Sequence, residues 1–224
     1  MPAGGWCQCG KGGTDGGRCG GLGWDLPFGR KAAAPIIERL TPAVPLMTQP
    51  LEKPAAHLEI VLATREQEPI LENLLELYSH DFSEHQELSI GTDGRFGYKW
   101  LPLYWSEPNR YPFLVRMNGT LAGLVFVKRG SEVSGHEAIW DMAEFFILRG
   151  YRRRGIGTQT AHEVFRHFPG VWEVRVMPSN VSACHFWARA ISSFTGGAIH
   201  PARVKKDTKL WELYSFESKL GALP

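Results

Sequence analysis

Arg152-Arg153-Arg154-Gly155-Ile156-Gly157-Thr158 stands between two segments of different periodicity. Before it, Ala138 to Leu148 reads as a long strand. After it, Gly157, Ala161, Val164, Phe165 and Phe168 recur on one face of a helix until Pro169-Gly170 stops it. A strand running through a basic glycine turn straight into a helix leaves backbone N–H groups free at the helix N-terminus, where the helix dipole also favours anions. Gly155 and Gly157 let the backbone approach a ligand closely, and Thr158 adds a hydroxyl donor. Taken alone, the turn is either a phosphate cradle or a tight corner without a ligand, and its arginines either bind phosphate or form a solvated loop.

Working outward, Val171 to Met177 alternates as a strand, and Pro178-Ser179-Asn180 opens a helix that runs through Trp187 and Ile191. Lys209 to Phe216 closes the chain as a strand. Upstream, Phe113–Met117 and Leu121–Val127 flank Asn118-Gly119, a strong hairpin signal. Leu58–Leu62 suits a first strand. Thr64 with Gln67 forms a capping box for a helix that buries Ile70, Leu71, Leu74, Leu75 and Tyr78 and turns Glu72, Asn73 and Glu76 outward. Between Phe82 and Pro112 lies an irregular stretch rich in aromatics, with room for one short helix. The order is that of one mixed α/β domain over residues 58–220.

Residues 1–57 differ in character: eleven of the 25 glycines fall within the first 30 residues, and no apolar periodicity accompanies them. They read as a disordered Gly/Pro-rich extension, with Met47 a candidate natural start. Cys7, Cys9 and Cys19 match no common zinc spacing, so no metal is expected. With 224 residues, 43% of them hydrophobic, the chain can build one substantial core, and a net charge of +2 gives no nucleic-acid footprint. No apolar run is long enough for a membrane helix and no secretory signal is present, so the expectation is a cytoplasmic protein.

The turn resembles the central motif of the GNAT superfamily of N-acetyltransferases, a strand followed by Arg or Gln-x-x-Gly-x-Gly or Ala and a helix, through Arg152, Gly155 and Gly157. A second motif agrees: Asn180-Val181-Ser182-Ala183-Cys184-His185-Phe186-Trp187 looks like the family's Asn-x-x-Ala-x-x-Phe-Tyr. The resemblance implies a mostly antiparallel sheet with helices on both faces and a splayed parallel strand pair, 138–148 and 171–177, that holds CoA. It implies acetyl-CoA as co-substrate and a small-molecule or peptide amine as acceptor, with a homodimer among the possible assemblies. A CoA-binding module without turnover is the alternative. On this resemblance the backbone around Ile147 and Arg149 would bond the pantetheine arm. The amides from Arg152 through Thr158, including Ile156, would hold the pyrophosphate, and the guanidiniums of Arg152, Arg153 and Arg154 would reach the 3′-phosphate. Asn180 would contact pantetheine, serve as a helix N-cap, or do both.

Acetyl transfer to an ammonium needs a proton acceptor, and Asp141 and Glu144 on the strand before the turn are the candidates. They point to opposite faces of a regular strand unless a bulge intervenes. Glu144 is favoured because its sequence neighbours are apolar, and a strand-edge ion pair with an arginine is the competing role. Where many relatives carry a tyrosine as acid for the departing thiolate, this chain has Trp187, whose indole cannot transfer a proton at working pH. Cys184 and His185 read as packing and surface residues. His80, Asp81, Glu84 and His85 read as a solvated helix end. Tyr98, Trp100, Tyr104 and Trp105 form either an acceptor wall, with Tyr104 and Trp105 binding substrate, or ordinary core.

Overall fold

The computed structural model describes residues 56–219. The Gly-rich segment with Cys7, Cys9 and Cys19, and the candidate start at Met47, lie outside the described residues. Pairing begins at His57, whose N–H donates to Asn118 Oδ1 at 2.8 Å while its carbonyl accepts from the Asn118 N–H.

Seven strands form one sheet in the order β1 (Leu58–Leu62), β2 (Arg110–Met117), β3 (Thr120–Arg129), β4 (Trp140–Ile147), β5 (Gly170–Val176), β7 (Lys209–Ser218) and β6 (Ala202–Lys206). All neighbours are antiparallel except β4 and β5. The β2–β3 hairpin turns as its sequence demands: Asn118 and Gly119 both take positive φ, 51° and 76°, the conformation that matches the twist of the flanking strands. Little in the sequence signals β6. Its residues, Ala-Arg-Val-Lys-Lys, are mostly polar, as suits an edge strand protected by charge against further pairing.

Alternation along the central strands sends side chains to two cores. On one face Val125, Val127, Phe113 and Val115 meet Val164 and Phe165 of α3 (Ile156–His167) and Trp187 and Ile191 of α4 (Val181–Thr195). On the other face Leu124, Phe126 and Leu114 meet Leu71, Leu74 and Leu75 of α1 (Glu68–Phe82) and Tyr104 of α2 (Leu103–Ser106). The capping box forms, with Gln67 Oε1 accepting from the Thr64 N–H at 3.1 Å. It heads a short 3-10 turn, Arg65–Gln67, that leads into α1. No described helix is long and apolar enough to cross a membrane.

Strand β4 is irregular on both of its edges. Its pairing with β5 is limited to Trp140↔Trp172 and Asp141↔Glu173, after which the two strands separate and β5 continues beside β7. Against β3, Asp141 pairs with Lys128, Met142 with Val127 and Glu144 with Phe126, so Ala143 is an extra residue. That bulge shifts the alternation by one and brings Asp141 and Glu144 to the same face, the one covered by α1 and α2.

Candidate active site

Where β4 and β5 part, a cavity of about 200 Å³ opens, lined among others by Tyr78 from α1, Glu144 from β4, Arg175 from β5 and Asn180 and Trp187 at the start and middle of α4. A second, larger cavity of about 570 Å³ lies between α1 and the loop before α2, and Tyr98 is part of its wall. Tyr98 also donates its hydroxyl to Glu144 Oε1 at 2.8 Å, so this phenol and this carboxylate stand between the two cavities.

The loop that delivers Tyr98 is held by a residue that the sequence pattern places on the outer face of α1. Glu76 accepts the N–H groups of Phe96 at 2.8 Å and Gly97 at 3.0 Å. Glu144 keeps partial solvent exposure, yet burial pushes its carboxyl above the usual carboxylate range, opposed by the Tyr78 and Tyr98 hydroxyls and by Arg175. Tyr78 from α1, Tyr98 from the loop and Phe146 stand on the Glu144 face of the sheet, whereas its neighbours Met142 and Phe145 belong to the opposite core.

Asp141 has a different environment. It is 2% exposed, and Arg175 Nη1 contacts both of its oxygens at 2.5 Å, with Lys128 Nζ 3.8 Å away. Burial pushes its carboxyl up, and the two cations oppose that shift. Burial alone would lower the Arg175 pKa, but Asp141, Glu144 and Glu132 raise it, so the guanidinium stays charged. Asp141 therefore occupies the ion-pair role, whereas Glu144 has no salt bridge among the described residues.

At the turn, Arg153 and Gly155 take positive φ of 60° and 78°, and the N–H groups from Arg153 through Thr158 find no acceptor among the described residues. The first to be satisfied is Gln159, which donates to the Gly155 carbonyl at 3.0 Å. A Cβ on Gly155 would meet nothing within 4 Å, so the space before these amides is open. This is a fit for a phosphate-bearing ligand. Gly157 also makes room for packing: a Cβ there would approach Phe186 to 3.2 Å and Ile147 Cγ1 to 3.8 Å, so its bareness lets α3 pack on α4.

The arginines divide. Arg149 Nη2 meets Asp81 Oδ1 at 2.7 Å and Arg152 Nη2 meets Asp81 Oδ2 at 2.6 Å, while Arg152 Nε donates to the Ile147 carbonyl at 2.6 Å. The carbonyl of Arg149 accepts from the Arg152 N–H at 3.2 Å. These two residues tie the end of α1 to the turn. Partial burial would raise Asp81, but the two guanidiniums outweigh it and hold its carboxyl below the usual range. Arg153 and Arg154 are exposed and have no ion-pair partner among the described residues. Asp81 thus does more than end a solvated helix, and only its contacts across 68 and 71 residues reveal that.

Asn180 caps α4, accepting from the Ala183 N–H at 3.0 Å, and also lines the smaller cavity. Trp187 is buried, its ring 4.9 Å from Phe145. Burial first of all raises the Cys184 thiol, which faces the Met177 carbonyl, and His185 is exposed, so the pair forms no nucleophile. Tyr104 and Trp105 pack in the second core, Tyr104 with its ring 4.3 Å from Phe126. The Tyr104 hydroxyl and Trp105 Nε1 are buried without a partner among the described residues. No group of three or more His, Cys, Asp or Glu among the described residues is arranged to hold a metal.

Comparison with known proteins agrees with this architecture. The model of the acetyltransferase (GNAT) family matches residues 71–191. Among curated protein sequences nothing matches significantly. Solved structures share the fold at low identity. An acetyltransferase from Thermus thermophilus is 18% identical, with a TM-score of 0.53, over 71% of this chain and 96% of that one. An aminoglycoside acetyltransferase in complex with coenzyme A and kanamycin is 14% identical, with a TM-score of 0.53, over 72% and 95%. Spermidine N-acetyltransferase from Vibrio cholerae, in complex with CoA and spermine, is 12% identical, with a TM-score of 0.51, over 72% and 95%. The family match spans more than half of the chain, including β4, the glycine turn and most of α4; the protein belongs to the GNAT family of acetyltransferases.

Proposed function

We propose that this acetyltransferase moves the acetyl group of acetyl-CoA to a primary amine of a small molecule or peptide, with Glu144 taking the proton of the incoming ammonium. The observation that carries this reading is the position of Glu144. It lies on the bulged, open end of β4, on the wall of the cavity between the parted strands, with a raised carboxyl and no salt bridge among the described residues. A carboxylate closer to neutrality in pKa is a better general base at working pH, and position in the cavity supplies the reach.

The amides of Arg153 to Thr158 with the free guanidiniums of Arg153 and Arg154 receive the phosphates. Backbone groups near Ile147 and Arg149 and the Asn180 side chain flank the arm, although the carbonyls of Ile147 and Arg149 already accept from Arg152. Tyr104 and Trp105 support the acceptor side from below, while Tyr98 faces it. Cys184 has no disulfide partner among the described residues, as suits a reducing cytoplasm. Titrating acetyl-CoA into the protein and screening a panel of polyamines, aminoglycosides and peptide amino termini tests this function. Binding followed by acetylation of an amine supports it, and binding without turnover on any amine would favour a CoA-binding module.

A further inference from the structure

Trp187 leaves the thiolate side of the reaction without a proton donor on α4, and the phenols around β4 stand in different places. Tyr98, which donates to Glu144, lines the larger cavity before α2 rather than the one between β4 and β5, and the Tyr214 hydroxyl donates to the Cys184 carbonyl at 3.1 Å. Tyr78 is the phenol on the wall of the cavity between β4 and β5, the wall it shares with Glu144, Asn180 and Trp187. Its ring is fixed by Phe82 at 5.5 Å and Phe146 at 5.8 Å. One helical turn further on, Asp81 binds Arg149 and Arg152, so the helix that carries Tyr78 is anchored to the glycine turn.

We infer that Tyr78 is the catalytic acid of this enzyme, handing its hydroxyl proton to the sulfur of CoA as the carbon–sulfur bond breaks and recovering a proton from Glu144. This rests on the reading of Glu144 as the base. The protons balance. Glu144 removes one from the ammonium, and the amine lone pair forms the new carbon–nitrogen bond at the thioester carbonyl. When that adduct collapses, the carbon–sulfur electron pair leaves on sulfur, which takes the Tyr78 proton, and the Glu144 carboxylic acid reprotonates the phenolate. The second proton of the amine nitrogen passes to water, leaving amide, free thiol and one proton, with both side chains restored.

Burial, then the adjoining Glu144, push the Tyr78 hydroxyl well above its ordinary pKa. The phenol is therefore protonated at rest and does not have to be a strong acid itself. The proton that Tyr78 gives up is replaced from the carboxylic acid of Glu144 on the same cavity wall, and Tyr78 spans the gap between that carboxyl and the sulfur.

Release of free thiol from acetyl-CoA with water as the acceptor requires no knowledge of the amine, and Glu144 and Tyr78 would play the same parts in it. The full-length wild type, Y78F, E144Q and Y78F/W187Y are compared for thiol release at saturating acetyl-CoA and, by calorimetry, for acetyl-CoA affinity. Phe retains the two ring contacts of Tyr78, so Y78F is expected to fold and to bind acetyl-CoA as the wild type does. It is expected to release thiol about 10²-fold more slowly, the lower end of general acid catalysis for a leaving group that is already a good one. W187Y restores a phenol to the same cavity and is expected to recover part of that loss. Slow release by E144Q with wild-type release by Y78F would overturn the role of Tyr78 and leave the base in place. Wild-type release by E144Q would overturn the base and the relay together. Weakened acetyl-CoA affinity in Y78F with unchanged release at saturation would make Tyr78 a packing residue and also overturn the inference.

Discussion

The two ends of β4 carry the same chemistry and use it differently. At the closed end, where Trp140 and Asp141 pair with β5, Asp141 is sealed against Arg175 and Lys128. At the open end, beyond the bulge at Ala143, Glu144 faces a cavity and accepts a phenolic hydrogen bond. Both carboxyls lie on one face, and burial raises both. What separates them is the partner: one guanidinium nitrogen of Arg175 reaches both oxygens of Asp141, whereas Glu144 accepts from a phenolic hydroxyl and faces a cavity. The parting of the strands therefore opens a cavity, and on the proposed reading it also distinguishes a structural carboxylate from the one that takes the proton.

The largest effect expected from breaking this comparison is on the rate of E144Q. Removing a general base costs ~10²–10⁴ in turnover while leaving cofactor affinity nearly unchanged. With any amine identified by screening, steady-state kinetics beside acetyl-CoA titration checks both halves of that statement. Asp141→Ala is expected to act on stability instead. It strands the partly buried Arg175 guanidinium, at a cost of up to about 3–5 kcal/mol read from denaturant unfolding, and the protein that remains folded should keep its acetyl-CoA site. Loss of turnover without loss of stability in Asp141→Ala would reverse the two assignments.

A smaller effect sharpens the account of the turn. Gly157→Val places carbon against Phe186, a contact already at 3.2 Å for a Cβ, and is expected to lower stability by about 1–3 kcal/mol through overpacking. Had Gly157 served only ligand approach, the midpoint of thermal unfolding would not move and binding alone would suffer.

The sequence reveals the frame and less of the site. The glycine turn, the Asn-Gly hairpin and the periodicity of α1, α3 and α4 are local signals, each set by backbone conformation or by the face a segment buries, and all of these elements form. The choice between Asp141 and Glu144 is not local: it depends on a bulge against β3 and on Arg175 from a strand 34 residues on. Asp81, Glu76 and Tyr78 are equally hidden, because a helix pattern shows which face is buried and not what a particular side chain meets there. The sequence similarly runs Arg152, Arg153 and Arg154 together, yet the fold commits Arg152 to Asp81 and leaves Arg153 and Arg154 free of ion pairs among the described residues. Gly157 matches the motif, but its neighbour Phe186 explains it only in three dimensions.

The pH dependence of acetyl transfer by the wild type, E144Q and Asp141→Ala tests most directly the claim that Glu144 is the base. A base works in its deprotonated form, and burial raises the Glu144 carboxyl. Wild-type turnover is therefore expected to fall as the pH drops through an ionisation above the usual carboxylate range, ~4.3 for an unperturbed Glu. Asp141→Ala should keep that acid limb, and E144Q should lose it, its residual rate following only the supply of neutral amine. If the limb set by the wild-type enzyme's carboxyl, distinct from the ionisation of the amine, persists in E144Q and vanishes in Asp141→Ala, the account is contradicted.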